Sequence, residues 1–573
     1  MADQKIENLL ELALDTPEQT REKSENLSAG YDTTDNLWEV IIRYSGDIGE
    51  LDGEFTQVTP LLGGYAILRL SEAMLETLSS NPQVEYIEKP KALSFTLYEG
   101  KLASCIPPVQ REPYNLSGKG ILVAVIDSGI DLFHPDFRNE DGTTRLTGLW
   151  DQTLTNGTPP MGYPIGRYFD REEINTILET GETSPSTDVS GHGTHVTGIA
   201  AGNGRASRGE QRGVAYEADI LVVKLRGRSR NGFPQTTELM MGIDFCVRKA
   251  IELSIPLALN LSYGNNYGAH DGTSLLETYL DSVAGVGRTT ICIGSGNEGN
   301  QRRHAAGRLT GDRNYLIEFA IAPGESSLGI QIWKNYVDDF QISLTSPSGS
   351  SVIFTEYSKG PYRSVLDSTE ILWYFGEPSP YSTNQEIYLE MLPEGIQNTI
   401  RSGIWKLSFM PKRIADGRFN IWLPSGSSIN AETGFLVPTV ENTLTIPSTA
   451  SKPITVGAYD SNTGSFANFS GQGALNGIVR KPDIAAPGVN ILSCAPGGGY
   501  TAKSGTSMAC PFVTGSAALL MQYGIVQGQD PFLFGEKIKA YLAKGAKPLT
   551  AYSEYPNENV GWGALCLRNS LPR

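Results

Sequence analysis

Three short segments carry an acid, a base and a nucleophile: VAVIDSGI around Asp127, GHGTHVTG around His192 and GTSMACP around Ser507. A serine hydroxyl is a weak nucleophile at neutral pH. It needs an imidazole to take its proton, and the imidazole needs a carboxylate to fix its tautomer and stabilise its charged form. The chain supplies one of each, and the chemistry they would perform together is peptide-bond cleavage. A fourth segment, ICIGSGNEGN, contains Asn297. Its side-chain amide is a candidate donor to the oxyanion that forms on the attacked carbonyl. Losing such a donor typically costs about 100- to 1000-fold in rate.

Neighbouring residues compete for two of these roles. His195 lies one turn beyond His192, and Ser504 precedes Ser507 by three residues. The HGTH frame selects His192 as the base and leaves His195 as a packed structural histidine. The GTSMACP frame selects Ser507. His134, His270 and His304 have no such context and read as surface or core residues. The paired histidines of HGTH do not make a zinc motif, because they are three apart and lack the glutamate of HExxH.

The elements that must hold these groups are legible. GILVAVID is a continuous apolar run ending in a carboxylate, which predicts a buried parallel strand with Asp127 at its C-terminal end. Sites in open α/β sheets collect at that end. His192 opens a small-residue helix, and Ser507 opens an apolar helix running to about Met521. A serine at a helix N-terminus meets free N–H groups and the positive end of the dipole, and both favour an oxyanion. ICIG predicts a further buried strand leading to Asn297.

At 573 residues, more than one domain is expected. The formal charge of −17 argues against nucleic acid or an anionic membrane as partner. No run reaches the roughly 18 apolar residues of a membrane span. The N-terminal stretch is acidic and helical in pattern, without the basic and apolar regions of a secretory signal. The six cysteines, at positions 105, 246, 292, 494, 510 and 566, lack metal-ligand spacing. They read as buried free thiols in keeping with synthesis in a reducing cytoplasm, a disulfide being the alternative.

Before Asp127 the chain predicts a strand–helix–strand unit: strand-like Leu37–Ser45 and Gly64–Ser71, a helix with Ser71 as N-cap, and a strand at Val84–Glu88. Between Asn297 and Ser507, residues 301–440 hold eight short alternating segments separated by turn residues, the pattern of an antiparallel sandwich. Trp333, Trp373, Trp405 and Trp422 lie within these segments and read mostly as core.

DSGID, GHGTHVTG, GVAYEADI, NLSYG, SGNEG, DIAAPGVNI and GTSMACP resemble, in order, the blocks of the subtilisin-like serine proteases. The resemblance implies an α/β fold: a subtilisin-like parallel-sheet sandwich with an α+β N-terminal pro-domain and an inserted antiparallel, jelly-roll-like β-sandwich. It implies Asp127 as orienting acid, His192 as general base, Asn297 as oxyanion donor and Ser507 as nucleophile. Boundaries are expected at 1–96 (extension and pro-domain), 97–300 and 441–573 (the two parts of the catalytic domain) and 301–440 (the insert). Ser262, Tyr263 and Gly264, with Gly294, Ser295 and Gly296, would wall the first substrate subsite. KLRGRS, including Leu225 and Gly227, would line further subsites, where Arg226 and Arg228 are either solvated or select acidic residues.

Counting along the pro-domain tail puts self-cleavage near Thr96, within Ser94–Tyr98. Asp136 matches a family calcium ligand, but the loop that would complete the usual site is the arginine-rich NGRASRGEQRG, which suits a divalent cation poorly. Neither metal nor cofactor is expected.

The pro-domain and large insert further resemble the Csp germination proteases of clostridial spores. That implies a protein substrate (a spore cortex-lytic zymogen), a pro-domain bound in cis after cleavage, a rigidifying insert, a monomer, and packaging in the spore. Some members of that family are sensors with broken triads, whereas here all three residues are present. The alternatives are a sensor or binding protein with an occluded site, and a bacterial subtilase with an unrelated substrate.

Overall fold

The computed structural model describes residues 5–21, 25–28, 30–32, 35–46, 57–61, 63–90, 96–181, 184–227, 234–311, 313–354, 362–380, 382–426, 428–474 and 480–572. The chain divides into two compact units, Met1–Ser94 and Phe95–Arg573.

The first unit is a small antiparallel sheet with helices. Strand Leu37–Tyr44 pairs with Tyr31–Asp32, Tyr65–Leu70 and Val84–Glu88, and Gln57–Leu61 joins the far side of Tyr65–Leu70. The alternation of LWEVIIRY points Trp38, Val40 and Ile42 inward, where Leu75 and Leu78 of helix Glu72–Ser80 share their core. Ser71 stands at the N-cap of that helix, but its hydroxyl makes no capping bond. Gln57–Leu61 escapes the sequence reading because it is largely exposed and carries no alternating apolar signal.

The second unit is built on a mostly parallel sheet. Its strands run, in spatial order, Ile454–Asp460, Thr289–Gly294, Leu257–Leu261, Leu122–Asp127, Asp219–Lys224 and Leu146–Asp151, with short antiparallel edges at Ser465–Phe466 and Arg167–Asp170. Leu122–Asp127 lies centrally and is buried along its whole length. Its alternate residues serve two cores. Val123 and Val125 pack with the His192 and Ser507 helices, while Leu122, Ala124 and Ile126 pack with helix Thr236–Leu253 on the other face. A strand buried on both faces must be apolar throughout, which is why this run shows no alternation.

Helix Thr506–Met521 lies buried against the sheet and against helix His192–Ala201. With its extension to Val526 it is long and apolar enough to cross a membrane, yet most of it is inside this core.

Among the described residues, eleven strands between His304 and Phe435 form two antiparallel sheets of six and five strands, a jelly-roll-like sandwich around one apolar core. The eight predicted segments are strands. The additional ones are His304–Arg308, Tyr362–Leu366 and Gly434–Phe435. Trp373, Trp405 and Trp422 are buried, and Trp333 is half-buried.

Trp422 joins the sandwich to the sheet domain. Its ring lies between His270 and His304, with centroids 4.2 and 4.9 Å away, and its Nε1 donates to Asn442 O. Both histidines are buried, and burial lowers each to about 4, so the rings stack as neutral imidazoles. Trp422→Ala is expected to cost about 3–5 kcal/mol in urea-induced unfolding, through lost burial and a cavity at this junction.

Contrary to what their sequence context implies, the six cysteines are not all free thiols. Cys105 and Cys566 form a disulfide across 461 residues, while Cys246, Cys292, Cys494 and Cys510 are buried free thiols. Cys105 ends the turn after helix Thr96–Ala103, and the fold brings the C-terminal segment beside it, where Leu567 N donates to Ser104 O. Nothing in the spacing of the cysteines reveals that proximity.

Candidate active site

Asp127 ends the central strand, and His192 is the first residue of the next helix in the site. His192 Nδ1 lies 2.7 Å from Asp127 Oδ1, which also accepts from Ser128 N at 2.7 Å. Asp127 is buried and His192 is partly exposed. Burial alone would lower the His192 pKa, but the charge of Asp127 and the hydrogen bond to it outweigh burial and hold the ring above its ordinary 6.5. With Nδ1–H donated to the carboxylate, Nε2 is free to accept a proton.

The chain closes tightly here. A Cβ on Gly193 would stand 2.2 Å from Gly129 O, so only glycine lets the helix approach the strand end this closely. Asp188, which the sequence reading missed, fastens the helix start. Its Oδ1 accepts from Ser128 Oγ, Ser190 Oγ and Gly191 N, and its Oδ2 accepts from Thr194 N and Oγ1. Burial opposes its ionisation, yet these bonds prevail and keep its pKa below the ordinary carboxylate value.

His195 is buried, its Nε2 faces Ile491 O and Thr501 O, and burial lowers it to about 4. It is a structural histidine.

Ser507 lies in the first turn of its helix and lines a cleft of about 390 Å³. Ser262, Tyr263, Gly264, Gly294, Gly296 and Asn297 line the same cleft. Asn297 Oδ1 accepts from Thr506 N at 3.0 Å and Thr506 Oγ1 at 3.2 Å. A backbone N–H can only donate, so this contact fixes the amide orientation and leaves Nδ2 as the donor available to the cleft. Among the described residues no hydrogen bond joins Ser507 to His192. Catalytic contacts are often loose in unliganded enzymes and tighten around substrate.

Three predicted substrate residues do not line this cleft. Ser295 is fully buried, with its Oγ against Ser470 Oγ, and it supports the glycines on either side. Leu225 packs into the core, and exposed Gly227 bridges to Pro234. Arg226 is half-buried, and Arg228 lies outside the described residues. Conversely, the cleft holds residues that sequence reasoning missed: Glu298, Gln301, Ser425, Gly426, Thr445 and Thr506. Thr445 sits between the two walls, where a Cβ on Gly264 or Gly296 would meet it at 2.3 or 2.5 Å. Ser425 and Gly426 come from the end of the sandwich, and Gly426 N donates to buried Glu298. Burial raises the Glu298 pKa against the Gly426 bond and the nearby Arg303 charge.

Asp136, at the position of the family calcium ligand, is fully buried. Its oxygens accept from Ala206 N, Tyr500 Oη and Cys494 Sγ. His134 Nδ1 accepts from Asp136 N, and its Nε2 faces Gly499 O. Protein partners therefore already engage the carboxylate and the imidazole, although these groups lie close to Cys494 in a cluster of metal-ligating type.

The subtilase family model matches residues 118–315 and 438–563, and a model of the Csp protease B prodomain matches residues 4–91. The chain belongs to the subtilase family and is a subtilisin-like serine protease with a CspB-type pro-domain. It is similar to the solved structure of the CspB protease of Clostridium perfringens, at 36% identity and a TM-score of 0.76, covering 82% of this chain and 96% of that one. It is also similar to two Bacillus subtilis proteins. For the minor extracellular protease Vpr, identity is 26% over 79% of this chain and 52% of Vpr. For the major intracellular serine protease it is 27% over 45% of this chain and 75% of the relative. The chain thus spans about half the length of Vpr.

Proposed function

We propose that the protein is a self-processing serine endopeptidase that cuts its own chain near Thr96 and then activates a protein zymogen, a spore cortex-lytic precursor, by limited proteolysis. The observation that carries the catalytic reading is the 2.7 Å pairing of His192 Nδ1 with buried Asp127, beside a fold that presents Ser507 and Asn297 in one cleft. Ser507 Oγ attacks the scissile carbonyl as His192 Nε2 takes its proton. Asp127 holds the imidazole and stabilises its cation. The oxyanion meets Asn297 Nδ2 and free N–H groups at the start of the Ser507 helix. The protonated His192 then gives its proton to the leaving amine, and water repeats the sequence on the acyl-enzyme. An extended substrate adds as a strand between Ser262–Gly264 and Gly294–Gly296.

Self-cleavage is supported by the match to a pro-domain model and by the division of the chain at Ser94 and Phe95, inside the expected window. Thr96 is the first residue of a helix, not an extended strand, which suits a product-side terminus better than a seated substrate. Ser94 and Phe95 lie outside the described residues. The Cys105–Cys566 bridge is C-terminal of the cut and leaves the pro-domain free of any covalent tether through it. Retention in cis would rest on non-covalent contact alone. The zymogen substrate, monomeric state and spore localisation rest on the likeness to CspB-type proteases.

Asn297→Leu removes the oxyanion donor while keeping side-chain size, and is expected to lower kcat by about 100- to 1000-fold with little change in KM. Steady-state assay on a peptide spanning Ser94–Tyr98 checks this. N-terminal sequencing of products from candidate cortex-lytic zymogens tests the substrate. Activation by a single cut supports it, and inert zymogens with an active peptidase would refute it.

A further inference from the structure

The protein is strongly acidic overall, with a formal charge of −17. Even so, Lys101, Arg111 and Arg212 line one concave site away from the cleft, with Glu210 as the one carboxylate among its described lining residues. Lys101, in the last turn of helix Thr96–Ala103, is 5% exposed. It lines a cavity of about 460 Å³ with Gln110, Arg111, Glu210, Arg212 and Tyr216. Among the described residues, no carboxylate or carbonyl accepts from the Lys101 ammonium, and neither Arg111 nor Arg212 forms an ion pair. The Arg212 guanidinium lies over the Tyr216 ring at 5.1 Å, and Gln110 Nε2 is held by Val214 O at 2.8 Å. Glu210 is exposed and supplies one negative charge against three positive ones.

The Lys101 stem is buried while its ammonium opens on the cavity, so the charge meets solvent there but no protein acceptor. Burial lowers Lys101 to about 8, and the charge of Arg212 pushes it the same way. An oxyanion in the cavity would offset both effects and pair with three donors, two of them guanidinium forks suited to carboxylate or phosphate oxygens.

We propose that the Lys101–Arg111–Arg212 cavity is a binding site for a small multivalent oxyanion of phosphate or carboxylate type, separate from the catalytic cleft. Tyr216 would give the ligand one aromatic wall. The site is carried partly by the helix that begins at the proposed self-cleavage point. Lys547 Nζ donates to Ala103 O of that helix, and Cys105 just beyond it joins the C-terminal segment. Occupancy would therefore brace the start of the processed chain.

Calorimetric titration of the full chain with inorganic phosphate and, separately, citrate tests this at constant ionic strength, with chloride as control. Saturable binding is expected for at least one of them. Phosphate alone would assign the phosphate class, and citrate alone the carboxylate class. Lys101→Met and Arg212→Gln should each weaken binding by about 10- to 100-fold, the scale of a lost charged hydrogen bond. Arg212 is exposed, so its variant should fold normally. Without anion, Lys101→Met should unfold at a higher temperature than wild type, because the partly desolvated charge and its repulsion from Arg212 are gone. Equal affinity in all three proteins, or no saturable binding, would mean an adventitious ion only and overturn the proposal. A Lys101→Met chain that unfolds earlier without anion would also overturn it, because the lysine would then be holding the fold.

Discussion

Ser507→Ala is expected to leave the protein as a single 573-residue chain, while wild type yields a fragment beginning within Ser94–Tyr98. Intact mass spectrometry distinguishes the two. On a peptide substrate the rate should fall by about a millionfold, the scale seen when a triad nucleophile is removed. The change deletes one hydroxyl at a half-buried position, so the fold should survive. Asn297, His192 and Asp127 remain, and the variant should still bind substrate with near-normal KM. A Ser507→Ala protein that processes itself like wild type would show that another nucleophile, or a contaminating protease, makes the cut.

The second large effect is expected from Asp127→Asn. The side chain keeps its size, so the fold should hold. An amide at this position can present its NH₂ to Nδ1, which favours the tautomer with the proton on Nε2, where it cannot accept from Ser507. The loss should be on the order of 10,000-fold in kcat. The pH profile carries separate information. In wild type Asp127 raises His192 above 6.5, and the base works only when neutral. The acid limb of kcat/KM should therefore have its midpoint above 6.5. Removing the charge takes away the main influence that raises the pKa and leaves burial and the Lys503 charge lowering it, so the residual activity of the variant should have its acid limb at lower pH. An unchanged limb would mean that another group sets the profile.

Much of the site was legible because its residues lie in strongly constrained segments. The strand before Asp127 must be apolar on both faces, and Gly193 is required where the helix meets Gly129 O. Such positions announce themselves in one sequence. The alternating strands of the sandwich were legible for the same reason, since each has one face in a common core.

What escaped depended on long-range proximity. Cys105 and Cys566 meet only because the two ends of the protease unit fold together. Gly426 reaches Glu298 across 128 residues, so the turn that ends the sandwich contributes to the cleft and the insert does more than stand beside it. Ser295 sits between two glycines of the cleft wall and shares their sequence context, but a one-residue step along an extended chain turns its side chain inward to Ser470. The value of Asp188 lies in five hydrogen bonds, from Ser128, Ser190, Gly191 and Thr194, that no local pattern displays together.

The central claim is that Asp127 and His192 activate Ser507. The most direct measurement is labelling of the purified full chain with a fluorophosphonate, followed by peptide mapping. Stoichiometric modification of Ser507 is expected, abolished in His192→Ala although that variant remains folded by circular dichroism. Folded wild-type protein that takes up no label, or label found on a serine other than Ser507, would contradict it.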